Sequence, residues 1–419
     1  MAADAASVAS ATVSVRKEVE VISLVAVAHA ISHFAQLLLP PLFPFIKAEF
    51  NVSYAELALL LTIFFVCSGF GQTAAGFVVD RVGARAVLLG GLALTALAAF
   101  GFAFATHYWM LAVCAAVAGA GNCVFHPADY TLLNRKVSTP RLGHAYSVHG
   151  LTGSLGWALA GAMLVPLALA FSWRVAMTSA AVLIAVVFCI GWVFRDRLEL
   201  PAAHAHGAAP GAGGGAGAKG GALASQFGFL AIPAVWMCFL FFLFNAIVLS
   251  GVQSFATEAA RLLHEVPLEL AAQCLTIYMI TNAVGMGVGG FLISDPARAE
   301  RIIMGAFGVA ALFALSLGFA PLPAAVVPVA FACMGIAAGI ASPSRDMLVK
   351  RSAPDNASGR VFGVVYSGLD AGMALGPLVY GGLLDAHQPA LVWLAVAIFQ
   401  GLLIFTALNV RKVRRVAHV

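Results

Sequence analysis

The chain has 419 residues, of which 62% are apolar and only 10% charged, where soluble domains hold ~45–50% and ~25%. A soluble core cannot absorb that much apolar surface, because a globular exterior needs charge to coat it. The composition excludes an ordinary cytosolic enzyme, a nucleic-acid binder and a disordered regulator, and the net charge of +5 matters through its distribution more than its sum.

Residues 1–20 read as a short polar lead-in carrying Arg16 and Lys17. Apolar runs then follow at 21–46, 55–79, 86–106, 108–133, 145–170 and 174–194. A helix needs about 20 residues to cross the ~30 Å hydrocarbon core, and each run is long enough. The first run is too long for a cleaved signal peptide, and no small-x-small cleavage site follows it. Residues 201–225, PAAHAHGAAPGAGGGAGAKGGALAS, hold eight glycines and ten alanines, a composition that predicts a flexible tether. Its His204-x-His206 reads as incidental. Six more apolar runs follow at 230–258, 267–293, 302–321, 323–348, 360–384 and 388–410.

The spacing therefore predicts an all-α integral membrane fold of twelve transmembrane helices in two pseudo-symmetric six-helix bundles. The divisions are an N-terminal segment 1–20, a bundle 21–194, a linker 195–229, a second bundle 230–410 and a basic tail 411–419. Barrel strands would be about 10 residues long and would alternate in polarity; these runs do neither. With the N-terminus placed inside, 19 of the 23 lysines and arginines fall in inside segments. Only Lys47, Arg174 and Arg261 fall outside, and Arg345 lies within a span. That asymmetry predicts a bacterial-type inner membrane with both termini cytoplasmic. The seven cysteines all lie in apolar stretches without a CxxC pair and read as small hydrophobes.

The halves echo one another. Span 4 ends GNCVFHPADYTLLNRK and span 10 ends GIASPSRDMLVKR, each with a proline (Pro127, Pro343) before a charged residue and a basic pair. Spans 5 and 11 both open with arginine, then Tyr-Ser, then a glycine-rich stretch. Such repeats mark secondary transporters that rock about a central site.

Between spans 2 and 3 the chain reads Gly76-Phe-Val-Val-Asp80-Arg81-Val-Gly83-Ala-Arg85. This resembles the GxxxDRxGRR signature of the major facilitator superfamily, with Ala84 where a basic residue is usual. A degenerate copy runs from Gly290 through Asp295 to Arg301. Gly76 is expected to let another helix approach closely. Asp80, unfavourable at the C-terminal end of its own helix, is expected to serve something else. The resemblance implies a cytoplasmic latch in which Asp80 faces the start of span 11 near Ser358 to Arg360. AHAISHFAQLLLPPLFPFIKAEF in span 1 and GxGNxxFHP in span 4 are similar to the fosmidomycin-resistance group of that superfamily.

Ionisable groups inside a membrane are costly and read as functional candidates. In span 1, His29, His33 and Gln36 fall at i, i+4 and i+7, on one face. His29 lies ~12 Å and His33 ~18 Å deep. In span 4, Asn122, His126 and Asp129 repeat that spacing, and Pro127 should loosen the helix. Asp129 is also only ~7.5 Å from the helix end, which makes it a gate candidate, paired with Arg345 of span 10. Arg345 could equally pair with Asp346, bind a substrate anion or snorkel to the interface. In span 11, Asp370 lies ~15 Å deep with Tyr366 one turn earlier. Asp370 is the first choice for proton coupling, followed by Asp129, His33, His126 and His149. Tyr146, His149, Gly153 and Gly156 share a face of span 5, where the glycines read as close packing. Asn245, Tyr278 and Asn282 are further cavity candidates, and Trp173-Arg174 reads as an interfacial anchor.

No P-loop, HExxH or GxSxG motif is present, so neither ATP nor a catalytic site is expected, and the chain reads as a non-enzyme without cofactor or metal. The expected partners are the lipid bilayer, a small-molecule substrate and protons, with no nucleic acid, and the chain is read as a monomer. The reading is a secondary transporter working by alternating access, most simply a proton-driven exporter of an organic anion or amphipathic compound. The alternatives are a proton symporter or a uniporter importing a metabolite such as an organic acid or sugar and, more remotely, a membrane-embedded enzyme or sensor.

Overall fold

The computed structural model describes residues 2–200, 233–292, 299–352 and 358–416. Most of the predicted linker, the degenerate loop around Asp295, and the side chains of Arg345, Asp346 and Tyr366 lie outside the described residues. Among the described residues, eleven stretches are long and apolar enough to cross a membrane, and a further 28-residue helix occupies the run expected at 360–384. No strand occurs among them. A backbone surrounded by hydrocarbon must satisfy its own hydrogen bonds, and the helix does so within one segment.

The helices are α1 (Ala2–Gln36), α2 (Phe43–Phe50), α3 (Tyr54–Val82), α4 (Ala84–Ala103), α5 (Tyr108–Asn122), α6 (Phe125–Lys136), α7 (Thr139–Ala170) and α8 (Trp173–Val193). After the linker come α9 (Pro233–Ser254), α10 (Ala256–His264), α11 (Leu268–Leu292), α12 (Ala299–Phe319), α13 (Val327–Ser352), α14 (Ser358–Asp385) and α15 (Pro389–Val416). Residues 1–20, expected as a polar lead-in, continue the first helix back to Ala2.

Proline chemistry sets two breaks. The first predicted run, 21–46, stops being helical after Gln36; Pro40 and Pro41 open a single 3-10 turn, Pro40–Leu42, and α2 restarts from it. The fourth run, 108–133, divides at Cys123 and Val124. Pro127 has no N–H to give the Cys123 carbonyl four residues back, and its ring would crowd that oxygen. Its counterpart Pro343 leaves α13 continuous. At the junction of α3 and α4, Gly83 takes φ +94°, a conformation that a Cβ makes costly. This explains the glycine inside the Asp80-Arg81-Val-Gly83 turn.

The chain forms two compact units, Met1–Leu39 with Cys67–Gly211, and Pro40–Val66 with Ala212–Val419. In the first, α1 packs on α7, and α4 on α5 and α8. In the second, α9 packs on α14 and α15, α11 on α13, and α12 on α13 and α15. Glycines permit the closest of these approaches. A Cβ on Gly156 of α7 would strike the Ala30 carbonyl of α1, and one on Gly372 of α14 would meet the Ala246 Cβ of α9 at 2.6 Å. At Gly76, where a close approach was expected, no described atom lies within 4 Å of an added Cβ.

Candidate functional site

The first unit carries a buried polar group assembled from three helices. Residues three and four apart share a helical face. On α1 that face presents His29 and His33, and on α6 it presents His126 and Asp129. His149 comes from α7, next to a close α1–α7 contact. An added Cβ on Gly153 would lie 2.8 Å from the His33 ring and 3.0 Å from His29 Nε2. The absence of a side chain at Gly153 is what makes room for the two α1 imidazoles.

Asp129 is the hub and is completely buried. Its Oδ2 lies 3.1 Å from His149 Nε2, within hydrogen-bond geometry, and 3.3 Å from His29 Nδ1. The second contact is close enough for an ion pair but is off the line of a hydrogen bond, so His29 Nδ1 stays without a hydrogen-bond partner. The His29 and His149 rings stack, centroids 3.5 Å apart and 20° from parallel. His33 packs at 4.4 Å from His29 and His126 at 5.4 Å. Tyr130 adds its ring 5.2 Å from His149 and 5.6 Å from Tyr146.

A chain of side-chain hydrogen bonds continues from this group. The Trp157 ring lies 4.2 Å from His33, and its Nε1–H donates to Gln36 Oε1 at 3.0 Å. Gln36 Nε2 donates to Asn122 Oδ1 at 3.4 Å, and Asn122 Nδ2 donates to Ser68 Oγ at 2.8 Å. The two sequence stripes, His29-His33-Gln36 and Asn122-His126-Asp129, thus meet side by side. Asp129, which its distance from the helix end allowed as a gate residue, contacts His149 and His29.

The other candidates fall elsewhere. In the signature loop, Asp80 and Arg81 are exposed, and Arg85 pairs with Glu199. Asn245 is half-buried on α9, as is Asn282 on α11, and Tyr278 is buried there. Asp370 sits near the midpoint of α14, half-buried, and no described residue pairs with it. Gly368, Gly372 and Gly376 carry the α14 face that meets α9. Asp370, two residues from either of the first two, is ~200° around the helix from that contact. Trp157 and Ser68 had not been singled out. Trp157 stands four residues after Gly153 on the face already read, so extending that face by one turn finds it; Ser68 carries no such signal.

The sequence profile described as Major Facilitator Superfamily matches residues 25–377. The chain is 29% identical over 155 residues to the "Membrane sensor protein UhpC" of Salmonella typhimurium (strain LT2), covering 37% of this chain and 35% of that protein. It is 24% identical over 154 residues to the "Fosmidomycin resistance protein" of Escherichia coli (strain K12), covering 37% and 38%. It is 24% identical over 162 residues to the "Probable nitrate transporter NarT" of Staphylococcus aureus (strain JH9), covering 39% and 41%. These matches span little more than a third of the relatives' length. Among solved structures, the nucleoside transporter NupG superposes with a TM-score of 0.71 at 14% identity, covering 94% of this chain and 99% of that one. A bacterial homolog of the human lysosomal transporter Spinster gives 0.68 at 15%, covering 95% of both. At such identities the likeness shows the fold alone.

Proposed function

Because the chain belongs to the Major Facilitator Superfamily, we propose that it is a secondary active transporter that exports an organic anion or amphipathic compound in exchange for protons. It would do so by alternating access in the inner membrane, with both termini cytoplasmic. Protons and solute drive such a cycle by binding the inward- and outward-open states unequally.

The observation that carries the proton half is Asp370. It is a carboxylate at mid-length of an apolar helix, turned away from the helix-packing face and unpaired among described residues. An intramembrane carboxylate is expensive to keep and is a coupling candidate by default. The polar run Ser68–Asn122–Gln36–Trp157 supports a solute-facing surface that combines hydrogen-bond donors and acceptors with an aromatic wall, the usual make-up of a small-molecule site. Similarity to a protein named for drug resistance supports export, and similarity to one named for nitrate transport supports an anion.

The test uses everted membrane vesicles with a pH-sensitive dye, a panel of phosphonates, organic acids and amphipathic drugs, and wild type beside Asp370→Asn. A compound-dependent loss of the proton gradient, absent in the variant, is the expected result. Loss persisting in the variant removes Asp370 as the coupling residue. No response to any compound overturns proton-driven export and leaves import or uniport, read by radiolabelled uptake into right-side-out vesicles. The likeness to a membrane sensor favours a second reading, ligand sensing without transport; binding of a panel compound with no flux in either orientation would select it.

A further inference from the structure

We propose that His29, His126, His149 and Asp129 form a binding site for one divalent transition-metal cation of the zinc, cobalt and nickel class. The proposal goes beyond the transport reading and does not depend on it: binding is measured at equilibrium, without flux.

Geometry comes first. One ring nitrogen from each of His29, His126 and His149 lies within 4.8 Å of the other two. Ligands at the ~2.0–2.1 Å typical of zinc–imidazole bonds, arranged as a tetrahedron, are about 3.4 Å apart. Closing from the present spacing asks for ring rotation and sub-ångström shifts, not for movement of a helix. The carboxylate is already in place, with Asp129 Oδ2 3.1 Å from His149 Nε2 and 3.3 Å from His29 Nδ1. His126 and Asp129 stand at i and i+3 on α6, so one helix supplies two ligands from one face.

Unmet bonding capacity is the second and independent observation. His29 Nδ1, His126 Nδ1 and Asp129 Oδ1 are all buried without a hydrogen-bond partner. Native interiors leave few such atoms, and each needs an explanation. Three of them converge in one group, and they are the atom types that ligate metals.

Charge is the third. Asp129 is completely buried, and among the described residues no lysine or arginine pairs with it; its only ionisable contacts are imidazoles. Burying a carboxylate without a permanently charged partner is costly unless it coordinates a metal. A divalent cation supplies that charge, and neutral imidazoles are its usual nitrogen donors. His33, 4.4 Å from His29, and Trp157, its ring 4.2 Å from His33, wall the group on that side. Three nitrogens and one oxygen suit zinc, cobalt and nickel better than calcium or magnesium, which prefer all-oxygen shells.

The test uses the full chain in detergent, purified on a tag free of histidine and stripped with chelator. Zn2+ is titrated by calorimetry, and Co2+ is added separately to read its visible absorption, which reports the coordination geometry. The expected result is one Zn2+ per chain, an intense tetrahedral-type Co2+ spectrum and a rise in Tm with Zn2+. His126→Ala and His149→Gln should each weaken Kd at least tenfold and change the Co2+ bands. The linker double variant His204→Ala/His206→Ala should leave all three readouts as in wild type. Should a site variant misfold, the wild-type Co2+ spectrum and the linker variant still decide. No stoichiometric binding by wild type, an octahedral aquo-type Co2+ spectrum, binding lost in the linker variant, or binding undiminished in folded His126→Ala each overturns the proposal.

Discussion

Asp385, the last residue of α14, closes the N-terminal end of α3: its Oδ1 accepts the Tyr54 N–H at 2.8 Å and its Oδ2 accepts the Ala55 N–H at 2.7 Å. A helix start leaves N–H groups without partners and carries a partial positive charge, so a carboxylate with both oxygens engaged answers both needs. The same stretch of the second unit is tied by Thr62 Oγ1 donating to the Ala374 carbonyl at 2.7 Å. Replacing Asp385 by Ala should cost about 1–2 kcal/mol, the upper part of the range for helix caps, and Asp385→Asn should cost less. Thermal unfolding of the purified variants reads this; equal melting of Asp385→Ala and wild type would show that the cap contributes nothing.

Next to that cap, the Tyr54 hydroxyl donates to Glu258 Oε1 at 2.5 Å, while Glu258 is gripped by a two-pronged Arg261 at 2.7 Å on each oxygen. The fork on α10 raises the Arg261 pKa above its ordinary value through that hydrogen bonding. Tyr54→Phe removes a donor to a charged carboxylate and should cost about 1.5–3 kcal/mol. Glu258→Leu strands a guanidinium as well as a hydroxyl and should cost more. A double-mutant cycle on Tyr54→Phe and Glu258→Leu should show non-additivity above about 0.5 kcal/mol.

The α1–α7 contact depends on Gly156, whose missing Cβ leaves room for the Ala30 carbonyl. Gly156→Ala should destabilise by about 1–3 kcal/mol through overpacking. Gly90→Ala, on an α4 face with open space around it, should be neutral or gain up to about 1 kcal/mol from helix propensity. Equal loss at both positions would show that packing is not the cause.

Substituting Gln36→Leu removes the middle of the Trp157–Gln36–Asn122–Ser68 run. If that run faces the solute, KM for the transported compound should rise at least tenfold with little change in Tm. A matching fall in Tm with KM unchanged would assign the run to packing.

Orientation is tested by reporter fusions. Green fluorescent protein on the C-terminus should fluoresce, and alkaline phosphatase fused after Phe171, in the loop before Trp173, should be active. The opposite pattern at both sites would reverse the proposed topology.

The helices and the two polar stripes were legible in the sequence because each rests on one local signal: run length for the spans, and the i, i+4, i+7 spacing for His29-His33-Gln36 and Asn122-His126-Asp129. Their convergence was not, since nothing in the sequence gives the angle between α1, α6 and α7. Asp129 illustrates the gap. Counting residues to Asn134 put it near a helix end, and α6 ends at Lys136; what the count could not give is that the α6 face aims Asp129 at His149. The partners Tyr54, Glu258 and Asp385 lie 204 and 331 residues apart, and such pairings have no sequence period to reveal them.

The order in which the chain leaves the ribosome bears on the buried carboxylate. His29 and His33 are synthesised about 100 residues before Asp129, and His149 follows 20 residues after it. Imidazoles can wait in a membrane uncharged at modest cost, whereas a carboxylate cannot do so cheaply. Asp129 therefore emerges with its partner His29 already inserted, His126 on the same helix, and its partner His149 close behind. A chain with the carboxylate on α1 and the imidazoles later would have to hold its charge unmatched until the fourth span brought the first imidazole. Placing Asp129 late makes the finished group one that biosynthesis can assemble.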